Sequence, residues 1–207
     1  MSNTRSIVAV LALSLLTTSA RAASPECFDL AVIAHVRSNT PTPLDPNDHG
    51  LIVRWPWIAE LDVEQVLLGS MKGKHLRTVQ QQHAGYDPAY QHVLFLIRRA
   101  ATGSYSIVDT QPMVLRDAQG KFAIPLIYPW ILHAGWNTPE FVAAAKPITY
   151  RPADAWWLDR WNESDVKDAA QYGVVFSGRR ALATKAVYLD DLIRIVGSKW
   201  KRSCQAQ

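Results

Sequence analysis

Cysteine is nearly missing from this chain: among 207 residues only Cys27 and Cys204 occur. A scaffold held by several disulfides is therefore excluded. Neither cysteine sits in a motif that would depress its pKa, which argues against a nucleophilic thiol. Charge of one sign is also scarce, with 22 basic and 18 acidic side chains and a formal net charge of +4. The basic residues are scattered as Lys72/Lys74, Arg98-Arg99, Arg179-Arg180 and Lys199/Lys201/Arg202. A nucleic-acid binder shows a denser basic face, so that class is set aside. There is no internal repeat and no low-complexity tract. No apolar run reaches the ~20 residues that a membrane-spanning helix needs.

Catalytic signatures are missing too. The six histidines are His35, His49, His75, His83, His92 and His133. None forms an H-E-x-x-H helix, and no pair has the compact spacing of a structural zinc site. Only His83 and His92 flank one loop, where they could converge across a hairpin. No metal and no cofactor is expected. Asp45-Pro46-Asn47-Asp48-His49-Gly50 is oxygen-rich but lacks the distal bidentate acid of a calcium loop, and its proline suits a turn. No G-x-S-x-G elbow presents a serine nucleophile; Ser177-Gly178 has no glycine two residues before the serine.

The chain does carry an export pattern. A polar head with Arg5 precedes an apolar run from Ile7 to Leu16, broken only by Ser14, and then Ala20-Arg21-Ala22. Charged head, short apolar stretch and A-x-A site in that order predict a signal peptide over residues 1–22. Its removal takes away Arg5 and Arg21 and no acid, which halves the net charge of +4. The basic isoelectric point then says little about partners. Residues 23–207 are enough for one sizeable core. A periplasmic or secreted location with no membrane anchor follows, and it favours a bridge between Cys27 and Cys204.

Strand signals dominate as far as Leu126. Ala31 to Val36 is a short run rich in β-branched residues. In Trp57 to Glu64 apolar positions alternate with Glu60, Asp62 and Glu64, the period of a half-buried strand with one acidic face. Gly69-Ser70 and Gly73 mark a turn before a strand from His75 to Gln81. His92 to Ile97 is apolar at nearly every position, as in a central strand covered on both faces. Tyr105–Asp109 and Met113–Arg116 are shorter strands, and Asp117-Ala118-Gln119-Gly120 makes a hairpin into Lys121–Leu126. Strands this short and closely spaced argue for a meander or small barrel.

The character changes after residue 126. Thr138-Pro139-Glu140 starts a helix that Pro147 stops. Asp154 is placed to cap a helix through Trp156, Trp157, Leu158 and Trp161, and Ser164 to start another that Gly173 ends. Leu189, Leu192, Ile193 and Val196 share one face of a last helix, with Gly197 as its C-terminal cap. The expected architecture is mainly β, an OB-like or related small antiparallel barrel over 23–126. An aromatic-rich helical extension over 127–207 packs against it.

One family resemblance rests on Asp62-Val63-Glu64-Gln65-Val66-Leu67-Leu68-Gly69, then Leu76-Arg77-Thr78-Val79, then Val93-Leu94-Phe95-Leu96. This resembles the strand succession of exported OB-type barrels of the netrin and metalloproteinase-inhibitor kind, over roughly Phe28 to Asp109. The resemblance implies an OB-like fold and a binding module. It does not carry protease inhibition across. In that family the mature chain begins with the cysteine that meets the target's zinc, whereas Cys27 lies a few residues inside, and the family's several disulfides are missing.

Eight tryptophans are the most unusual feature. Their plainest role is to seal the extension onto the sheet, yet indole rings also form sugar platforms and interface anchors. Trp156, Trp157 and Trp161 cannot share one narrow helix stripe, because adjacent residues diverge by about 100°. With Trp55 and Trp57 they are the candidate binding residues. No catalytic residues are assigned. The reading is an exported, non-catalytic binding or accessory protein of the bacterial envelope or exterior, docking a protein partner through these aromatics and the acidic strand face. The alternatives are a small secreted hydrolase of cell-wall glycan or peptide, which would bring together two or more of Asp62, Glu64, His83 and His92, and a carbohydrate-binding module.

Overall fold

The computed structural model describes residues 27–44, 54–86, 91–108, 112–126, 139–150, 156–157, 163–171, 173–178, 180–199 and 204. The expected signal peptide lies outside them. Five strands form a closed barrel: β1 (Leu30–Pro41), β2 (Trp55–Leu68), β3 (His75–Gln82), β4 (Val93–Arg99) and β5 (Tyr105–Ile107). Around the barrel their order is β1-β2-β3-β5-β4, and β4 pairs back onto β1. Every pairing is antiparallel except that of β3 with β5. This five-stranded closure is OB-like, as the strand pattern leads one to expect.

The pleat explains the burial. Leu30, Val32 and Ala34 of β1, Ala59, Leu61 and Val63 of β2, and Val93, Phe95 and Ile97 of β4 fill the barrel. The alternate residues Ala31, Ile33, Leu94 and Leu96 point outward into a second core, which explains why β4 is apolar throughout. Gly69 closes the barrel base at φ +81°, and a Cβ there would fall on the Asp29 carbonyl oxygen. Only glycine tolerates both the conformation and the approach.

A second sheet, of order β6-β7-β12-β8, supplies the other wall of that outer core. It comprises β6 (Leu115–Arg116), β7 (Phe122–Pro125), β8 (Lys146–Pro147) and β12 (Lys185–Tyr188). Two of its strands precede residue 126 and two follow it. Helices α1 (Pro139–Ala144) and α3 (Leu189–Lys199) add Phe141, Leu189 and Leu192 to the same core. The far side of the sheet packs on a three-stranded sheet of β9 (Trp156–Trp157), β10 (Val174–Ser177) and β11 (Arg180–Ala183), with Ala169 from α2 (Glu163–Gln171).

The segment after residue 126 thus holds strands as well as short helices. Trp156 and Trp157 lie in a strand, not in the expected helix, because they pair with Ala181 and Arg180 across the sheet. Helix α3 runs through Gly197 to Lys199. Ile195 joins Leu189 and Leu192 in its buried stripe, while Ile193 is only half-buried.

Cys27 and Cys204 are bridged, with Cα atoms 5.4 Å apart. The bridge places the folded chain in an oxidising, non-cytoplasmic compartment. The Asp29 carboxylate reinforces it, accepting hydrogen bonds from the Cys204 amide at 3.1 Å and the Arg99 amide at 2.8 Å. No helix among the described residues is long and apolar enough to cross a membrane.

Candidate functional site

The second core covers the outer side of β1 and β4, and among the described residues the outer side of β2 and β3 is left half-buried to exposed. Outward residues pair across these strands: Pro56 with Gln81, Ile58 with Val79, Glu60 with Arg77 and Asp62 with His75. Val79 is 42% exposed and Ile58 half-buried, a small apolar centre beside charged pairs.

The acidic row on β2 does not stand alone. Glu60 lies 3.5 Å from Arg77, and Asp62 lies 2.6 Å from His75. Glu64 holds His92 Nδ1 at 2.7 Å with one carboxylate oxygen and Arg116 Nη2 at 2.7 Å with the other. Each acid on this face therefore has a basic neighbour, which alternation along β2 alone does not reveal. Phe122 completes the last group: its ring meets the His92 ring at 5.2 Å and the Arg116 guanidinium at 4.6 Å. His83 is exposed and is not part of the Glu64 group. Among the described residues no three His, Cys, Asp or Glu side chains converge as metal ligands.

At the barrel mouth, beyond the apolar filling, the lining turns polar and aromatic. Asn39 Nδ2 donates to Gln82 Oε1 at 3.0 Å, and Asn39 Oδ1 accepts from the Tyr86 amide at 3.2 Å. The Tyr86 hydroxyl donates to Gln80 Oε1, and its ring meets Phe95 edge-on at 5.7 Å. Burial pushes the Tyr86 phenol above its ordinary range. Trp57 stands in this mouth, half-buried, with its indole Nε1 buried and without a hydrogen-bond partner among the described residues. Trp55, next along the same side of β2, donates its Nε1 to the Thr42 carbonyl at 2.6 Å.

The structure thus places Trp55 and Trp57 together at one end of β2. It puts Trp156 and Trp157 in β9 of a different sheet, and Trp161 lies outside the described residues. Asn39, Gln80, Gln82 and Tyr86 are mouth residues that sequence reasoning passed over. Their one signal is the amide run Gln80-Gln81-Gln82 continuing a strand whose earlier inward positions, Leu76 and Thr78, are buried.

A second polar group stiffens the outer layer. The Asp117 carboxylate, on a residue 3% exposed, accepts from the Gln119 amide at 2.9 Å, the Lys121 amide at 2.8 Å and the Tyr188 hydroxyl at 2.9 Å. Burial pushes this carboxyl up. The hydrogen bonds from Lys121, Tyr188 and Gln119, with the Lys121 charge, outweigh that and hold it below the usual carboxylate range. Burial and the Asp117 charge together push the Tyr188 phenol up. This group anchors the β6–β7 turn onto β12 and lies inside the fold.

Comparison with known proteins finds no matching family model, no matching curated protein and no matching solved structure.

Proposed function

We propose that this chain is an exported, non-catalytic binding protein of the bacterial envelope or exterior, which docks a protein partner on the outer face of β2 and β3. One observation carries the reading: the second core covers β1 and β4, whereas the outward residues of β3, Val79 among them, are exposed. OB-type barrels bind ligands on the corresponding strands. Ile58 and Val79 would form the apolar centre and Glu60–Arg77 and Asp62–His75 the polar rim, with Pro56 at one end. The export pattern at residues 1–22 and the Cys27–Cys204 bridge support a periplasmic or secreted location.

The test is affinity capture of the tagged, exported protein from gently cross-linked native envelope, read by mass spectrometry. One near-stoichiometric partner, lost with Val79→Glu and retained with Lys146→Ala on the far layer, is the expected result. Equal recovery by both variants rejects the face, and no specific partner rejects the docking reading.

A second reading, a small hydrolase of cell-wall glycan or peptide, draws on one contact. Glu64 bonded to His92 Nδ1 is the arrangement that orients an imidazole as a general base. Arg116 on the same carboxylate and Phe122 against the ring favour a structural clamp. Cell-wall hydrolysis by the parent that disappears in His92→Ala, with its fold intact, would reverse that preference.

A further inference from the structure

We infer that the barrel mouth is a saccharide-binding site, closed in this structure by a strap, residues 83–86, that lays Gly85 and Tyr86 over it. The site is distinct from the outer face of β2 and β3, since it is built from inward positions beyond the apolar filling.

Its chemistry selects the ligand class. Trp57 offers an indole, whose flat apolar face suits the C–H face of a sugar ring. Asn39, Gln80 and Gln82 offer primary amides, each able both to donate to and to accept from a hydroxyl. These four side chains carry no formal charge, so they match a neutral polyhydroxylated ligand better than a phosphate or a carboxylate. Mouths of β-barrels are recurrent ligand sites, with a few polar groups on an apolar wall.

The strap occupies the mouth with groups that stand where such a ligand would. The Tyr86 hydroxyl donates to Gln80, and the Tyr86 amide donates to Asn39 Oδ1 at 3.2 Å. Gly85 crosses the indole so closely that a Cβ there would lie 3.3 Å from Trp57 Cζ3 and 3.2 Å from Asn39 Oδ1. Glycine therefore lets the backbone lie against the ring.

The closed arrangement carries a penalty at one atom. Trp57 Nε1 is buried and has no acceptor among the described residues. A buried donor left unpaired costs the desolvation of that group. Lifting the strap would return the N–H to water, and a ligand hydroxyl would then supply the acceptor. Opening is thus assisted by the group that the ligand needs.

The experiment is calorimetric titration of the full exported protein with cellotetraose and, separately, chitotetraose. The two probes share the ring chemistry and differ in the acetamido group. Hydrogen exchange over residues 83–86 is followed in parallel, and far-UV circular dichroism checks each variant's fold. At least one probe should bind and should speed exchange of the Tyr86 amide. Trp57→Phe keeps a ring and removes the donor, and it should weaken binding by about tenfold, the equivalent of one lost hydrogen bond. Gly85→Ala crowds the strap against Trp57 without altering any binding group, and it should tighten binding severalfold. Absence of binding to parent and Gly85→Ala alike overturns the proposal. So does a Trp57→Phe variant that binds as tightly as the parent, or binding with no change in exchange at Tyr86. Loss of the protein partner through Val79→Glu has no bearing on these titrations, so the two readings fail separately.

Discussion

Glu64 on the barrel and Arg116 on the second sheet meet at 2.7 Å, and the same carboxylate holds His92 through its other oxygen. The contact ties the two layers through side chains, beside the backbone hydrogen bonds from the Leu94 amide to the Pro112 carbonyl and from the Val114 amide to the His92 carbonyl. Replacing Glu64 leaves the Arg116 guanidinium over Phe122 without its carboxylate, and replacing Arg116 leaves Glu64 with His92 alone. In urea denaturation, Glu64→Gln and Arg116→Met should each lose about 1–2 kcal/mol. The double variant should lose less than the sum, because the partners are coupled. Strict additivity in that cycle would show that the contact does not brace the layers.

Gly69 and Gly73 both have positive φ, +81° and +75°, but their surroundings differ. At Gly73 a Cβ meets nothing within 4 Å. Gly73→Ala should therefore cost only the left-handed backbone strain, about 1 kcal/mol. At Gly69 the Cβ would strike the Asp29 carbonyl oxygen and lie 2.6 Å from Leu30 Cδ2. Gly69→Ala should lose roughly 3 kcal/mol or more, since β1 would have to shift. Equal melting temperatures for the two variants would contradict this.

Acid sensitivity should trace to Asp117. Its folded pKa is depressed by the Lys121, Tyr188 and Gln119 hydrogen bonds, so the folded state favours the carboxylate. The resulting stability is fully present above the unfolded pKa of about 4, and it is lost as pH falls through the folded value. Asp117→Asn should be less stable at neutral pH and should flatten the acid limb of the stability curve. An unchanged acid limb in a pH series of urea midpoints would assign the effect to other carboxylates.

Reduction should loosen the chain without opening the barrel. The bridge closes a sequence separation of 177 residues, and loops of this length gain up to about 5 kcal/mol from cross-linking. The barrel's own closure is the β1–β4 ladder, from Leu30 with Ile97 to Ala34 with Val93. The Cys27→Ser, Cys204→Ser double variant should melt at a lower temperature while keeping its far-UV spectrum. Loss of strand signal at room temperature would mean that the ladder alone cannot hold the barrel.

Local pattern revealed a good part of this fold. The alternation on β2, the two-sided apolar run of β4, the Asp117–Gly120 hairpin and the helix start at Pro139 all follow from spacing within a few residues. What stayed hidden depends on distant partners. Nothing local shows that β3 pairs with β5 in parallel, or that β4 returns to β1. Trp156 and Trp157 read as helical because their strand is two residues long and is defined only by pairing with β11. The candidate site was legible in its tryptophans at positions 55 and 57. It was not legible in Tyr86, which belongs to a loop whose glycine and proline signal only a turn.

The bridge between Cys27 and Cys204 also bears on how freely the elements can be reordered. With Cα atoms 5.4 Å apart, the first and last described residues are already neighbours. A few residues of linker could replace the sulfur bridge, and the chain could be reopened at Gly73, where a side chain meets no neighbour. Such a circular permutant would keep every ladder and lose only the covalent connection between β2 and β3. The architecture therefore depends on which strands lie side by side, and only weakly on where along the loop of the chain synthesis begins.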